Sequence, residues 1–310
     1  IIWTDTLQTT FMLLAVGLSI YLISKDLQYD FRHLISTVWN SDYSNMVVTD
    51  WQSKQYFLKQ IFSGAFIAIV MTGLDQEMMQ KNLSCRNIGE AQKNMFSFSI
   101  VLVFVNLMFL FLGAVLYIYS TKHGIELPTR TDDLFPMIAI KYLGPLAGLV
   151  FMIGLISAAY PSADGALTSL TTSFTIDFLG LNKREDLNEE QKKRMRYKVH
   201  LSFAFLLLLV IVLFRAINDR AVIDKLFTVA GYTYGPLLGL YAFGLFTRFK
   251  VKDKLVPFVA ISSPIFCYLL SDFSVQLLNG YKFGFELLII NGIYTFVGLW
   301  LLRIRKKVTV

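Results

Sequence analysis

Long apolar runs alternate with short polar connections along this chain. Eight runs are long enough to cross a bilayer as helices, at roughly 1–24, 57–79, 94–119, 144–179, 199–215, 225–247, 255–271 and 284–302. None alternates with period two, so the spacing predicts helices rather than barrel strands. The seventh run is short and carries Pro257 and Pro264, which blur its limits. Among the connections, 25–56 is the longest, and its Trp39, Tyr43, Trp51 and Tyr56 suit an interfacial helix or a lid. The connection 120–143 predicts a short helix after Asp132–Asp133. Residues 180–198 read as a solvated charged helix, with Glu189–Lys193 and Glu190–Arg194 spaced for i,i+4 pairs. The expected fold class is an all-α polytopic membrane protein, with residues 1–310 forming a single transmembrane domain.

Composition agrees with the pattern. Of 310 residues, 55% are hydrophobic and the mean hydropathy is +0.54, too apolar for a soluble domain of this size. The net charge of +7 is organised by topology. With alternating loops, 18 of the 29 Lys and Arg fall in short segments on one side: Lys81–Lys93, Lys183–Lys198, Arg248–Lys254 and Arg303–Lys307. The positive-inside rule puts that side, and the carboxy terminus, in the cytoplasm of a multi-pass plasma (inner) membrane protein. The charge therefore reports orientation and not a nucleic-acid partner. The chain opens on Ile1, already within a spanning run, and reads as the carboxy-terminal part of a longer protein.

Few residues suggest covalent chemistry. Cys85 and Cys267 lie far apart without a CxxC, and His33, His123 and His200 are scattered near membrane edges as interfacial residues. There is no catalytic triad, HExxH, P-loop or GxGxxG, so an enzyme is not expected, nor an organic cofactor. The expected partners are the lipid bilayer and a small solute, with no obligate protein partner evident.

The chemistry concentrates in GLVFMIGLISAAYPSADGALTSLTTSFTIDFLG, from Gly148 to Gly180. A carboxylate at bilayer depth costs about 2.5–3.5 kcal/mol on insertion scales, which makes Asp164 a functional candidate by default. At about 100° per residue, Asp164, Thr168, Thr171 and Thr175 fall within roughly 60° of one another, with Ser157 on the same line. Pro161 has no amide to donate, so the Ser157 carbonyl loses its helical partner. Hydroxyls, a freed carbonyl and a carboxylate make an oxygen-rich place for a small hard cation. The plain alternative is that the hydroxyls bond back to their own backbone and Pro161 only kinks the helix.

Other polar groups lie at membrane depth. Asp5 sits in WTDTLQTT at the start of the first run, which begins inside, so it is expected near the cytoplasmic interface, where a carboxylate costs little. GLDQEMMQKNL crowds Asp75, Gln76, Glu77 and Gln80 at the end of the second, which fits a helix unwinding into a loop, or a gate. GYTYGPLLGL in the sixth, with Gly231, Gly235 and Pro236, predicts a break or hinge. Asn106 in the third is expected to bond to another helix. Interrupted helices with an internal carboxylate are what ion-coupled transporters use near the midplane.

These residues resemble the carboxy-terminal part of the sodium:solute symporter family. WTDTLQ at 3–8 resembles the opening of the family's fifth core helix, and GLDQEMMQKNLSCRNIGEAQK at 73–93 its GxDQxxxQRxL segment. Residues 132–178 resemble its outer loop and eighth core helix, and GYTYGPLLGLYAFGLFTR at 231–248 the tenth. The resemblance implies a LeuT-type inverted-repeat fold and secondary active transport, in which sodium entry drives uptake of a small polar solute by alternating access. Proton coupling on the same fold, and a transporter-like sensor domain, are the alternatives.

Residue by residue, the resemblance implies a sodium site made of the Ala158 carbonyl, the Ser162 hydroxyl, Asp164 and Asp5. Pro161 stands where the family has a second hydroxyl. Two carboxylates near one pocket repel unless a cation or a shared proton lies between them. Ser162 points about 160° from Asp164 on an ideal helix, so one pocket needs a distortion at Pro161, and otherwise there are two sites. The positions that hold sugar in sugar carriers of the family match Ala68, Met71 and Leu102, none with that chemistry. An organic acid, an amino acid or a differently held sugar fits as solute. Pro161, Gly235, Pro236, Asp75 and Gln76 are the candidate helix breaks and gate.

Overall fold

The computed structural model describes residues 2–217 and 222–304, with the backbone alone described at 2–5, 77, 161, 217 and 222–225. All eight apolar runs are helical. The helices in order are α1 (Ile2–Asp26), α2 (Phe31–Trp39), α3 (Phe57–Gly73), α4 (Gln76–Leu83), α5 (Ile88–His123) and α6 (Leu134–Lys141). They continue with α7 (Pro145–Ser173), α8 (Glu189–Ile217), α9 (Val222–Phe246), α10 (Val256–Asp272), α11 (Ser274–Leu277) and α12 (Leu287–Leu301). Five described helices are long and apolar enough to cross a membrane, at 6–26, 88–123, 145–178, 189–216 and 253–272; α3 and α12 are shorter apolar helices. The protein is an all-helical, polytopic membrane protein.

The chain divides into two compact units, residues 1–44 with 80–221 and residues 45–79 with 222–310. In the first, α1, α2, α5 and α6 share a core of Val16, Ile20, Ile23, Leu34, Leu112, Val115, Tyr119 and Ile138. Local chemistry sets the ends of these helices. Asn87 caps α5 by accepting the Glu90 amide at 2.9 Å, and Gly124, at φ 63°, closes it in the left-handed conformation that glycine adopts without strain. Asp30 caps α2 through the His33 amide. Leu34 of α2 is buried, while Phe31, Ile35 and Trp39 stay exposed. Pro145 occupies the first turn of α7, where its missing amide costs nothing.

The carboxy-terminal ends of α1 and α5 meet, since the Tyr119 hydroxyl donates to Asp26 at 2.8 Å. Helix α7 begins at that same end, where Phe151 packs edge-on against Phe135 of α6 with ring centroids 4.7 Å apart. Hence α7 runs antiparallel to α1. The two pack closely: a Cβ placed on Gly154 falls 2.7 Å from the Ala15 Cβ, so only glycine permits the approach.

In the second unit, α9, α10 and α12 pack together. Their common centre is polar. Ser263, Asn291 and Thr295 are fully buried, and the Thr295 hydroxyl lies 3.0 Å from the Ser263 hydroxyl. Ser263 donates to the Asn291 carbonyl at 2.9 Å and also contacts its side-chain oxygen. Gly235 lies directly against Asn291, and a Cβ there would fall 2.3 Å from it.

Several expectations change. Helix α7 runs without interruption from 145 to 173 through Pro161, and only its end, Phe174–Phe178, loosens into a π-helical turn. Helix α9 runs through Gly235 and Pro236 as well. The second apolar run breaks instead, because α3 stops at Gly73 and Asp75 starts α4, accepting the Met78 amide at 3.0 Å. A capping carboxylate supplies a better helix start than proline supplies a stop when a neighbour can satisfy the freed carbonyl. Asn106 bonds the Leu102 carbonyl of its own helix at 2.9 Å rather than another helix. The charged segment before residue 199 is continuous with α8; Glu190 pairs with Arg194 at 3.5 Å as spaced, but Glu189 takes Lys192 at 3.1 Å instead of Lys193.

Candidate functional site

Uninterrupted helicity fixes the register of every candidate on α7. Asp164 lies half-buried in the middle of the helix, two turns above Thr171 and about 20° from it in projection. The contact between Gly154 and Ala15 sets the level of α1 against α7. Asp164 is ten residues below that contact on α7, and Asp5 is ten residues below it on the antiparallel α1. Each carboxylate-bearing residue therefore sits about 15 Å along its helix from the crossing, at matched depth. The Asp5 side chain lies outside the described residues, as does that of Pro161.

Ala158 and Ser162 are brought together. The Ser162 hydroxyl faces the Ala158 carbonyl at 3.4 Å, a long bond that leaves both oxygens free to take another partner. Asp164 and Ser162 share no straight-helix face, and α7 keeps that separation through Pro161. The lower hydroxyls behave as the plain alternative requires. Thr171 donates to the Leu167 carbonyl at 2.6 Å and Thr175 to the Thr171 carbonyl at 2.7 Å. The Ser162 bond is therefore the longest of these three hydroxyl-to-carbonyl bonds on α7.

The remaining candidates lie elsewhere. Ala68 is exposed on α3 and Met71 half-buried near its end; Leu102 is exposed on α5. Asp75 is half-buried and Gln76 exposed at the α3–α4 break. Gly235 and Pro236 lie on the α9 face covered by Asn291. The buried Ser263–Asn291–Thr295 group was not singled out from the sequence. Its signal was available: a lone amide in the apolar LLIINGIYTF, and the small-residue spacing Gly235–Gly239, which lets helices approach closely. The same is true of Glu286, which accepts the Tyr281 hydroxyl at 3.1 Å and the Gly284 amide at 2.9 Å in the loop before α12.

Fold and site together define a polytopic helical membrane protein that carries a half-buried carboxylate on α7. The profile of the sodium:solute symporter family matches residues 1–254, and the chain belongs to that family, one of transporters and not of enzymes. It is 23% identical over 255 residues to the sodium/sialic acid symporter NanT of Aliivibrio fischeri, covering 80% of this chain and 50% of that protein. It is 20% identical over 262 residues to the sodium/sialic acid symporter SiaT of Proteus mirabilis, covering 80% and 51%. A putative sodium-dependent multivitamin transporter of Drosophila melanogaster is 22% identical over 228 residues, covering 71% and 37%. The chain spans about half the length of the curated sialic acid symporters that it matches.

Proposed function

We propose that the full-length protein is a sodium-coupled symporter that takes up a small polar solute by alternating access on a LeuT-type scaffold. The two compact units are then parts of one transmembrane domain with eight spans, in a plasma (inner) membrane with the carboxy terminus in the cytoplasm. The observation that carries this reading is Asp164: a half-buried carboxylate on α7, level with Asp5 of α1, in a chain of this family. Sodium is assigned to the Ala158 carbonyl, Ser162, Asp164 and Asp5. A hard monovalent cation bound by oxygens relieves the repulsion between the two carboxylates.

Two of the relatives are named for sialic acid, so a carboxylated sugar is the first solute to test. Ala68, Met71 and Leu102 are apolar and would line such a solute rather than hold it. The Asp75–Gln76 break is assigned as a gate, since a helix end can move without breaking internal bonds.

Proton coupling is the second reading, favoured by Pro161 standing where a hydroxyl ligand is expected. Proteoliposomes loaded with the full-length protein separate the two. N-acetylneuraminate uptake that rises with an inward sodium gradient at equal pH supports sodium; uptake that follows a pH gradient and ignores sodium replaces it with the proton.

A further inference from the structure

A cleft of about 650 Å³ opens between the lower end of α7 and the first turns of α8, apart from the α7 carboxylate. Thr171, Glu189, Glu190, Lys193, Arg196, Tyr197 and His200 line it. The Thr171 hydroxyl proton goes to the Leu167 carbonyl, so the His200 Nδ1, 3.2 Å away, must be the donor to the Thr171 oxygen. That fixes the imidazole, and Nε2 is the nitrogen left for another partner.

Charge selects what fits. The first turns of α8 carry five cations, Lys192, Lys193, Arg194, Arg196 and Lys198, against Glu189 and Glu190. Both carboxylates are occupied: Glu189 by Lys192 at 3.1 Å and, loosely, by Arg196 at 3.9 Å, and Glu190 by Arg194 at 3.5 Å. Lys193 makes no ion pair among the described residues. The Arg196 pair is exposed on both sides and easily exchanged. With Lys192 and Arg194 on the two lining carboxylates, Lys193 and Arg196 are the cations left to meet an anion in the cleft.

The next turns of α8 say which anion. Above the basic turns, Leu201, Phe205, Leu206, Leu208 and Leu209 are exposed, a continuous apolar surface at the level where acyl chains would lie. The Tyr197 ring is exposed at the boundary between the two, the place aromatic residues take at a headgroup layer. Basic clefts beside spanning helices, on the side rich in Lys and Arg, recognise anionic headgroups.

We propose that the α7–α8 cleft binds the phosphodiester headgroup of an anionic phospholipid. Lys193 and Arg196 contact the phosphate, His200 Nε2 and Tyr197 hydrogen-bond the headgroup, and the apolar turns of α8 hold the chains. The site is independent of the sodium assignment, and it pins the end of the ion-carrying helix to the lipid surface.

Titration of the purified full-length protein with phosphatidylglycerol, read by native mass spectrometry and by thermal unfolding, tests it. Lys193→Gln/Arg196→Gln is expected to bind the lipid about 25-fold more weakly, taking roughly fivefold per cation at an anionic surface. Lys250→Gln/Lys252→Gln removes the same charge from another exposed basic segment and is expected to leave binding unchanged. Phosphatidylcholine and millimolar inorganic phosphate are expected to give no stabilisation. Equal weakening in both double variants overturns the site in favour of diffuse surface charge. Stabilisation by inorganic phosphate alone overturns the lipid and leaves a free anion. The unliganded melting temperature of each variant shows that it is folded.

Discussion

The Asn291 side-chain amide donates to the Tyr232 carbonyl at 2.9 Å, and that carbonyl is the one Pro236 leaves without a helical donor. The same amide reaches the Gly231 carbonyl at 3.2 Å. A proline in mid-helix normally ends or kinks the helix, because the carbonyl four residues back is orphaned in a medium without water. Here a side chain from α12 supplies the donor, and α9 continues. Gly235 makes the approach possible, and Ser263 and Thr295 satisfy the remaining polar groups of Asn291. Each residue in the group depends on another.

Asn291→Leu keeps the branched shape with bulkier branches and removes the donor. Each buried carbonyl left unpaired costs about 1–3 kcal/mol, so the variant is expected to melt well below the wild type in detergent. Pro236→Ala returns an amide to Tyr232, and the loss caused by Asn291→Leu should then shrink by roughly 1 kcal/mol, a coupling typical of residues in one network. Additive losses in the double variant would show that Asn291 does not serve the proline.

Gly235→Ala places a methyl 2.3 Å from Asn291 atoms that are themselves held by three helices. Overpacking of this kind costs about 1–3 kcal/mol or more. Gly231→Ala, one turn away, meets nothing within 4 Å and is expected to be neutral or stabilising, since alanine is the better helix former by roughly 1 kcal/mol. Comparing the melting temperatures of the two variants checks the packing directly. Similar behaviour would mean that α9 and α12 are farther apart than described.

Asp164→Asn should reduce sodium-stimulated uptake by about tenfold or more, because a contact between unit charges near 4 Å is worth about 4 kcal/mol at an effective dielectric of 20. The protein should melt no lower than the wild type, as the variant removes a charge from membrane depth. Ser162→Ala should weaken sodium dependence, whereas Thr171→Val should leave it unchanged, its hydroxyl being spent on Leu167. Concentration curves for sodium in proteoliposomes distinguish these outcomes, and equal effects from Ser162→Ala and Thr171→Val would remove Ser162 from the site.

The pattern of apolar runs was sufficient to place helices, because length and hydrophobicity act locally along the chain. The break at Asp75 was readable for the same reason: a carboxylate before a polar turn is a local cap. The fate of Pro236 was not readable, since it depends on a partner distant in sequence, Asn291, 55 residues away. The hydroxyl stripe below Asp164 was half legible. Its spacing was correct, but whether Thr171 and Thr175 faced a ligand or their own backbone depended on rotamers that spacing does not encode. Asp164 itself stood out because a charge in an apolar helix is costly wherever the helix packs.

Tyr281 gives the protein a measurable alkaline limit. It lies in the loop before α12, its ring beneath the Lys59 ammonium at 3.5 Å and its hydroxyl on Glu286 at 3.1 Å. Burial first, and then the Glu286 charge and hydrogen bond, disfavour the phenolate and push its pKa from 10.0 up to about 12. The folded state therefore holds the phenol proton more tightly than the unfolded chain does. The resulting stability is fully present below pH 10 and is lost as the pH climbs through about 12. Lysines titrate in the same range, so the difference between wild type and Tyr281→Phe isolates this group. The wild-type melting temperature should fall more steeply than that of Tyr281→Phe between those two values. Parallel slopes would mean that the loop opens before Tyr281 ionises, and that the Glu286 contact does not hold it shut.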